Sequence, residues 1–247
     1  MAGHSKWKSI KHAKAVTDSR RSARFTKMIR EITMAAKLGG GDPGGNPRLR
    51  TAIETARSQS LPKENIERAV KKGTGELEGA DYVEVLYEAY GPGGAALMIQ
   101  ALTDNPTRTV ADIRHKLSRG GGNLGTTNSV AFLFNRQGLL TFDATRHDED
   151  ALMLAALDAG AEDLTREDDQ FIVACEAGLL HAVKSALEEK GFAAVETELS
   201  WVPASTVRVE GESAEQLVKL LEAIEDLDDV QNVDTNADLD VEALSAE

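Results

Sequence analysis

Four lysines, Lys6, Lys8, Lys11 and Lys14, recur through a stretch in which Asp18 is the first acid. Arg20, Arg21, Arg24, Lys27, Arg30 and Lys37 continue the series, and Arg48, Arg50 and Arg57 extend it. Ammonium and guanidinium groups neutralise phosphate oxyanions and release their counterions. The chemistry these residues point to is polyanion binding, which asks for many cations on one surface rather than for a tight constellation.

Residue types that catalyse are present without the spacing that catalysis needs. His4, His12, His115, His147 and His181 are scattered, with no His-x-x-x-His and no carboxylate spacing for a metal. Cys175 closes the apolar run Phe171-Ile172-Val173-Ala174 and reads as a core residue. Gly91-Pro92-Gly93-Gly94 lacks the Gly-Lys-Ser/Thr that completes a phosphate loop, and it joins two predicted strands rather than a strand and a helix. Gly120-Gly121-Gly122-Asn123-Leu124-Gly125 follows a predicted helix C-terminus, so no helix N-terminus faces a phosphate there. Both segments read first as turns. As loops they also form candidate partner surfaces, through Tyr90, Gly91, Pro92, Gly93 and Gly94 in one and Asn123, Thr126 and Thr127, with Asn128, in the other. No metal or other cofactor is expected, and the chain reads as a non-enzyme.

Composition sets the wider bounds. Of 247 residues, 41% are apolar and 28% charged, enough for sizeable cores in a soluble chain of more than one domain. Aromatics are only 4%, so base-stacking surfaces cannot be numerous. The single cysteine excludes an intrachain disulfide framework and a Cys-rich metal site, and it suits a reducing, cytoplasmic setting. No uninterrupted apolar stretch approaches the roughly 18 residues of a membrane helix. The first residues lack the apolar centre of a secretory signal. The net charge of −13 hides a split: residues 1–72 sum to +11 and the remainder to −24. A basic module on an acidic body confines phosphate contact to one end. A solubilising tail would have a similar composition, but here the cations are organised along helical faces.

Elements must position these groups. Trp7 and Ile10 share a face if the first residues are helical; otherwise that stretch is a basic arm that orders on a partner. From Ser19 to Leu38, Phe25, Ile29, Ile32 and Ala36 form an inward stripe, with Arg20, Lys27, Arg30 and Lys37 on the opposite face. Asn46-Pro47 caps and starts a second helix, with Leu49, Ala52, Ile53 and Ala56 inward. Pro62 opens a third, which Gly73 ends, with Lys71 and Lys72 in its last turn. Beyond these, the pattern predicts strands at 82–90 and 95–102, a helix at 105–119, and a strand at 129–135 with Val130, Phe132 and Phe134 on one face. Residues 137–202 follow the β-α-β-β-α-β order of the ferredoxin-like motif. A strand (206–209), a helix (215–224) and a strand (230–233) complete a second sheet begun at 82–135, and the acidic residues 236–247 are expected to fray.

The fold class is therefore α+β with three domains. Residues 1–80 form a basic helical bundle, 81–136 plus 203–247 a discontinuous α/β domain, and 137–202 an inserted ferredoxin-like domain.

Several motifs carry a family resemblance. They are Met1-Ala2-Gly3-His4-Ser5-Lys6-Trp7, Phe25-Thr26-Lys27 with Arg30-Glu31, Asn46-Pro47-Arg48-Leu49-Arg50, Tyr87-Glu88-Ala89-Tyr90-Gly91-Pro92-Gly93-Gly94, Asn105 with Arg108-Thr109-Val110, and Gly121-Gly122-Asn123-Leu124-Gly125. With them the chain resembles the YebC/PmpR family over residues 1–135, and from 137 onward in layout more than in motif. The resemblance implies a helical domain and two α/β domains. It also implies a cytoplasmic, DNA-binding transcriptional regulator or, as for some members, a translation factor acting on the ribosome. Neither role is separated from the other by these residues. No helix-turn-helix with a reading helix rich in Asn, Gln and Arg is evident, which weakens base-specific DNA readout, while the Lys-rich arm would also suit ribosomal RNA. A third possibility of another class is a protein-binding adaptor using the acidic ferredoxin-like surface. No membrane and no small-molecule substrate is expected as a partner.

Overall fold

The structure, a computed structural model, describes residues 18–239, with side chains from Ser22 onward. The described residues divide into two compact units, one spanning Phe134–Ala204 and the other 18–133 with 205–239.

The larger unit begins with three helices: α1 (Asp18–Gly39), α2 (Pro47–Ser58) and α3 (Lys63–Gly73). Ile32, Ala35 and Ala36 of α1 pack on Leu49, Ile53 and Ala56 of α2 and on Ile66 and Ala69 of α3. Asn46 serves two helix ends at once. Its Oδ1 accepts from Leu49 N at 3.1 Å, and its Nδ2 donates to Ala35 O and Gly40 O, each at 2.8 Å. One side chain thereby satisfies the start of α2 and the end of α1, with Pro47 preset for the first turn. Gly73 lets α3 approach α1 closely, since a Cβ there would lie 2.3 Å from Thr33 O.

The rest of this unit is a four-stranded antiparallel sheet in the order β3-β1-β2-β9, with β1 at Val83–Tyr90, β2 at Ala96–Thr103, β3 at Asn123–Leu124 and β9 at Val230–Thr235. In the β1–β2 ladder Val83 faces Thr103 and Tyr90 faces Ala96. The connecting turn holds Gly93 at φ +69°, and a Cβ there would also meet Val209 Cγ1 at 2.6 Å, so glycine is needed on both counts. Helices α4 (Pro106–Arg119) and α7 (Gly211–Glu225) pack on the sheet through Ile113, Leu117, Leu217, Leu221 and Ile224 against Leu97, Ile99 and Val233.

The smaller unit runs β4 (Phe134–Asp143), α5 (Glu149–Asp158), β5 (Asp163–Glu167), β6 (Gln170–Glu176), α6 (Leu180–Glu189) and β7 (Glu196–Pro203). Its sheet order is β5-β6-β4-β7, antiparallel throughout. This is the split β-α-β arrangement. Leu140, Phe142, Phe171 and Val173 pack under Leu152, Val183 and Leu187 of the two helices. Cys175 is fully buried in that core, where burial, with the charge of Glu162, pushes its thiol up to about 11.

Three sequence expectations need correction. The predicted strand at 129–135 is absent; residues 131–133 form a 3₁₀ turn, and β4 starts at Phe134. Phe132 is consequently 75% exposed instead of facing a core. Strand β8 (Val207–Val209) does not join the four-stranded sheet; it pairs in parallel with β10 (Ala237–Leu239). The chain from 236 to 239 is therefore not frayed. Asn236 is buried, its Oδ1 accepts from Ala96 N at 2.8 Å, and local acidity hid an element held by long-range pairing.

Candidate nucleic-acid interface

Helix α1 is amphipathic as expected, but its polar face does not simply meet solvent. Lys27 Nζ donates to Glu225 O at 2.5 Å. Arg30 Nη1 reaches Leu102 O at 3.1 Å, Asp228 O at 2.7 Å and Asp229 Oδ1 at 2.5 Å. Its guanidinium also lies 5.4 Å from the centre of the Tyr82 ring. Lys37 pairs with Asp81 and donates to Tyr82 O. On α2, Arg48 forks onto Glu31 through Nε at 2.7 Å and Nη2 at 3.0 Å, and it reaches Glu84 at 2.5 Å. Burial alone would lower the Arg48 guanidinium, but the hydrogen bonds and charges of Glu31 and Glu84 hold it above its usual range. Arg50 donates to Pro43 O at 3.2 Å. Helical periodicity identifies a polar face; it does not say that the end of a sheet will pack against it.

Other cations remain available. Arg24 and Arg57 are exposed and have no ion pair among the described residues. So are Arg68, Lys71 and Lys72 on α3, spaced i, i+3 and i+4 on one face. Arg68, Lys71 and Lys72 were absent from the sequence-based set, although this spacing was visible. Lys6, Lys8, Lys11 and Lys14, and the side chains of Arg20 and Arg21, lie outside the described residues.

Asp229 organises the junction between α1 and the sheet. It is buried, yet its carboxyl is held below the ordinary range: desolvation would raise it, and the bonds from Thr109, Arg108 and Arg30 outweigh that. Thr109 Oγ1 donates to Oδ2 at 2.6 Å, and Arg108 Nη2 reaches both oxygens at 3.0 and 2.9 Å. Asn105 caps α4 by accepting from Arg108 N at 3.1 Å. The Asn105, Arg108 and Thr109 motif is thus a structural joint.

A second constellation sits at the opposite end of β1. Glu88 is 7% exposed, and its carboxylate accepts from Asn128 N at 2.6 Å, Val130 N at 2.7 Å and Ala131 N at 2.8 Å. Its own carbonyl accepts from Gly125 N at 2.8 Å. Burial would raise this carboxyl, but the backbone donors hold it below its ordinary value. Tyr90, exposed and paired with Asn123 across the β1–β3 ladder, donates its hydroxyl to Ser129 O at 2.9 Å. Thr126 and Thr127 are exposed on the pinned loop. In the neighbouring turn Pro92 is buried, Gly91 is half-buried, and Gly93 and Gly94 are exposed. Sequence reading missed Glu88 as the pin, because nothing local distinguishes it from the many surface carboxylates.

Among the described residues no group of three or more His, Cys, Asp and Glu is placed to hold a metal. The cleft between α1, α3 and the 74–82 connection, about 240 Å³, is lined by Lys37, Lys72, Asp81 and Tyr82, and Lys37 and Asp81 are already paired. No helix among the described residues is long and apolar enough to cross a membrane.

Comparisons with known proteins place the chain. Residues 5–76 match the TACO1/YebC protein N-terminal domain, and residues 82–237 match the TACO1/YebC second and third domain. A relative from Gemmatimonas aurantiaca, named "Probable transcriptional regulatory protein", is 63% identical over 245 residues, covering 99% of each chain. One from Chlorobaculum tepidum with the same description is 51% identical, covering 99% of this chain and 98% of its own. These names describe regulatory proteins rather than enzymes. The crystal structure of a conserved hypothetical protein from Aquifex aeolicus is similar at a TM-score of 0.85 and 45% identity, covering 90% of this chain and 92% of that one. On both domain matches and on this full-length likeness, the chain belongs to the TACO1/YebC family.

Proposed function

We propose that the protein is a nucleic-acid-binding regulator, a DNA-binding transcriptional regulatory protein of the cytoplasm. It works as three modules: a basic helical one (1–80), a discontinuous α/β one (81–136 with 203–247) and an inserted ferredoxin-like one (137–202). The helical module grips phosphate, and the acidic remainder keeps the polyanion to that end. The observation that carries this reading is the set of exposed cations without ion pairs among the described residues, Arg24, Arg57, Arg68, Lys71 and Lys72, on a chain whose net charge is −13. The names of the relatives support it.

One observation favours a second reading, a ribosome-associated translation factor that holds ribosomal RNA. Helices α1, α2 and α3 contain a single Asn or Gln between them, Asn65, so they offer phosphate contacts and few amides for base edges. A competition assay at one fixed salt, with promoter DNA, random duplex and ribosomes, tests both. Retention on promoter DNA by about 10³ or more over random duplex supports the transcriptional role. Equal weak binding to every duplex together with ribosome co-sedimentation supports the ribosomal one. Absence of salt-dependent binding to any nucleic acid overturns both and leaves a protein-binding adaptor.

A further inference from the structure

The chain has six phenylalanines, and five are buried or half-buried. The sixth, Phe132, is 75% exposed. Single exposed apolar residues are common and usually need no explanation, but Phe132 is displayed in an unusual way. It sits in the 3₁₀ turn at the end of the loop that Glu88 pins through three backbone N–H groups. The same loop holds Asn128 in the left-handed region at φ +65°, a turn conformation that asparagine adopts readily. The ring is therefore presented by a preorganised backbone.

The surroundings indicate what the ring would meet. Residues 120–133 carry no charged side chain, in a chain that is 28% charged. A phosphate backbone is not repelled there as it would be over the acidic remainder. Exposed Thr126, Thr127 and Asn128 supply hydrogen-bonding groups, and Tyr90 adds a second exposed ring tied to Ser129 O. An apolar protein anchor prefers an apolar pocket on both sides. An exposed ring on an uncharged loop that also carries exposed hydrogen-bonding groups matches a nucleobase, which offers a flat π face and a hydrogen-bonding edge. We propose that Phe132 is a base-stacking residue, and that the 125–133 loop takes one unpaired nucleobase of a single-stranded or looped nucleic acid. The proposal rests on the nucleic-acid reading above and adds to it a contact that does not depend on charge.

The test uses the full chain and a single-stranded RNA of about 16 nucleotides carrying 2-aminopurine. Wild-type protein should change the probe's fluorescence through stacking. Phe132→Ala should weaken binding by about 5- to 100-fold, the range for loss of one base–aromatic stack. It should lose the fluorescence change, leave the salt slope unchanged, and leave thermal unfolding unaltered because the ring is exposed. Phe132→Trp should restore both affinity and signal. If Phe132→Ala binds as wild type with the same fluorescence, the stacking role is overturned while nucleic-acid binding stands. If the wild-type protein binds the strand at no salt, the stacking role is overturned, while the nucleic-acid reading stands or falls separately on the duplex and ribosome competition.

Discussion

Arg30 and Asp229, 199 residues apart in sequence, meet at 2.5 Å with both side chains nearly buried. The pair joins the helical segment to the sheet, and Thr103, Arg108 and Thr109 complete its shell. Removing Asp229 leaves the Arg30 guanidinium without its carboxylate, whereas removing Arg30 leaves Asp229 still paired with Arg108. Asp229→Ala should therefore destabilise the protein by about 3 kcal/mol or more, read by denaturant unfolding. Replacing Arg30 and Asp229 together should cost less than the sum of the two single changes.

Glu88 gives a pH dependence with a defined sign. Its folded carboxyl lies below the ordinary value of 4.5, so its contribution is fully present above that value and is lost as pH falls through the lower folded-state value. Glu88→Gln should cost about 1–3 kcal/mol near neutrality by leaving backbone donors unpaired. On acidification the difference between wild type and variant should shrink. A constant difference across the acid range, measured by thermal unfolding, would refute the role of the ionised carboxylate.

The cations should separate into two sets. Arg57, Arg68, Lys71 and Lys72 changed to Ala should weaken nucleic-acid binding and flatten its salt dependence by about 0.7–0.9 per lost contact. Lys37→Ala and Arg48→Ala should leave that slope nearly unchanged. Arg48→Ala should lower stability modestly, by about 1 kcal/mol, because its pairs are partly screened by solvent.

Gly73→Ala would push a methyl to within 2.3 Å of a backbone carbonyl, which cannot swing aside as a side chain could. A loss of about 1–3 kcal/mol is expected, and it should appear as separation of α3 from α1 in amide exchange.

Legibility in the sequence followed how local each signal was. Asn46 and Pro47 announced a helix start because cap and ring act within one turn. The β1–β2 hairpin was visible because its turn residues and β-rich flanks are contiguous. Phe132 misled because alternation with Val130 and Phe134 mimics a strand, while the backbone there is spent on Glu88. Strand β10 was invisible because three residues derive their order from β8, far away in sequence. Lys27, Arg30, Lys37 and Arg48 were legible as a polar face, but the carboxylates and carbonyls that occupy them come from distant segments.

The β1–β2 ladder also acts as a ruler. The helical segment is tied on at the Val83–Thr103 end, through Arg48 to Glu84 and Arg30 to Leu102 O, and the Glu88-pinned loop sits at the Tyr90–Ala96 end. At about 3.4 Å per residue, the two ends of the ladder stand about 24 Å apart. One strand stacked at about 3.4 Å per nucleotide needs about eight nucleotides to cover that distance. Ligand length therefore becomes a measurable variable: affinity should rise in a step, not smoothly, once an oligonucleotide is long enough to reach from one end of the hairpin to the other.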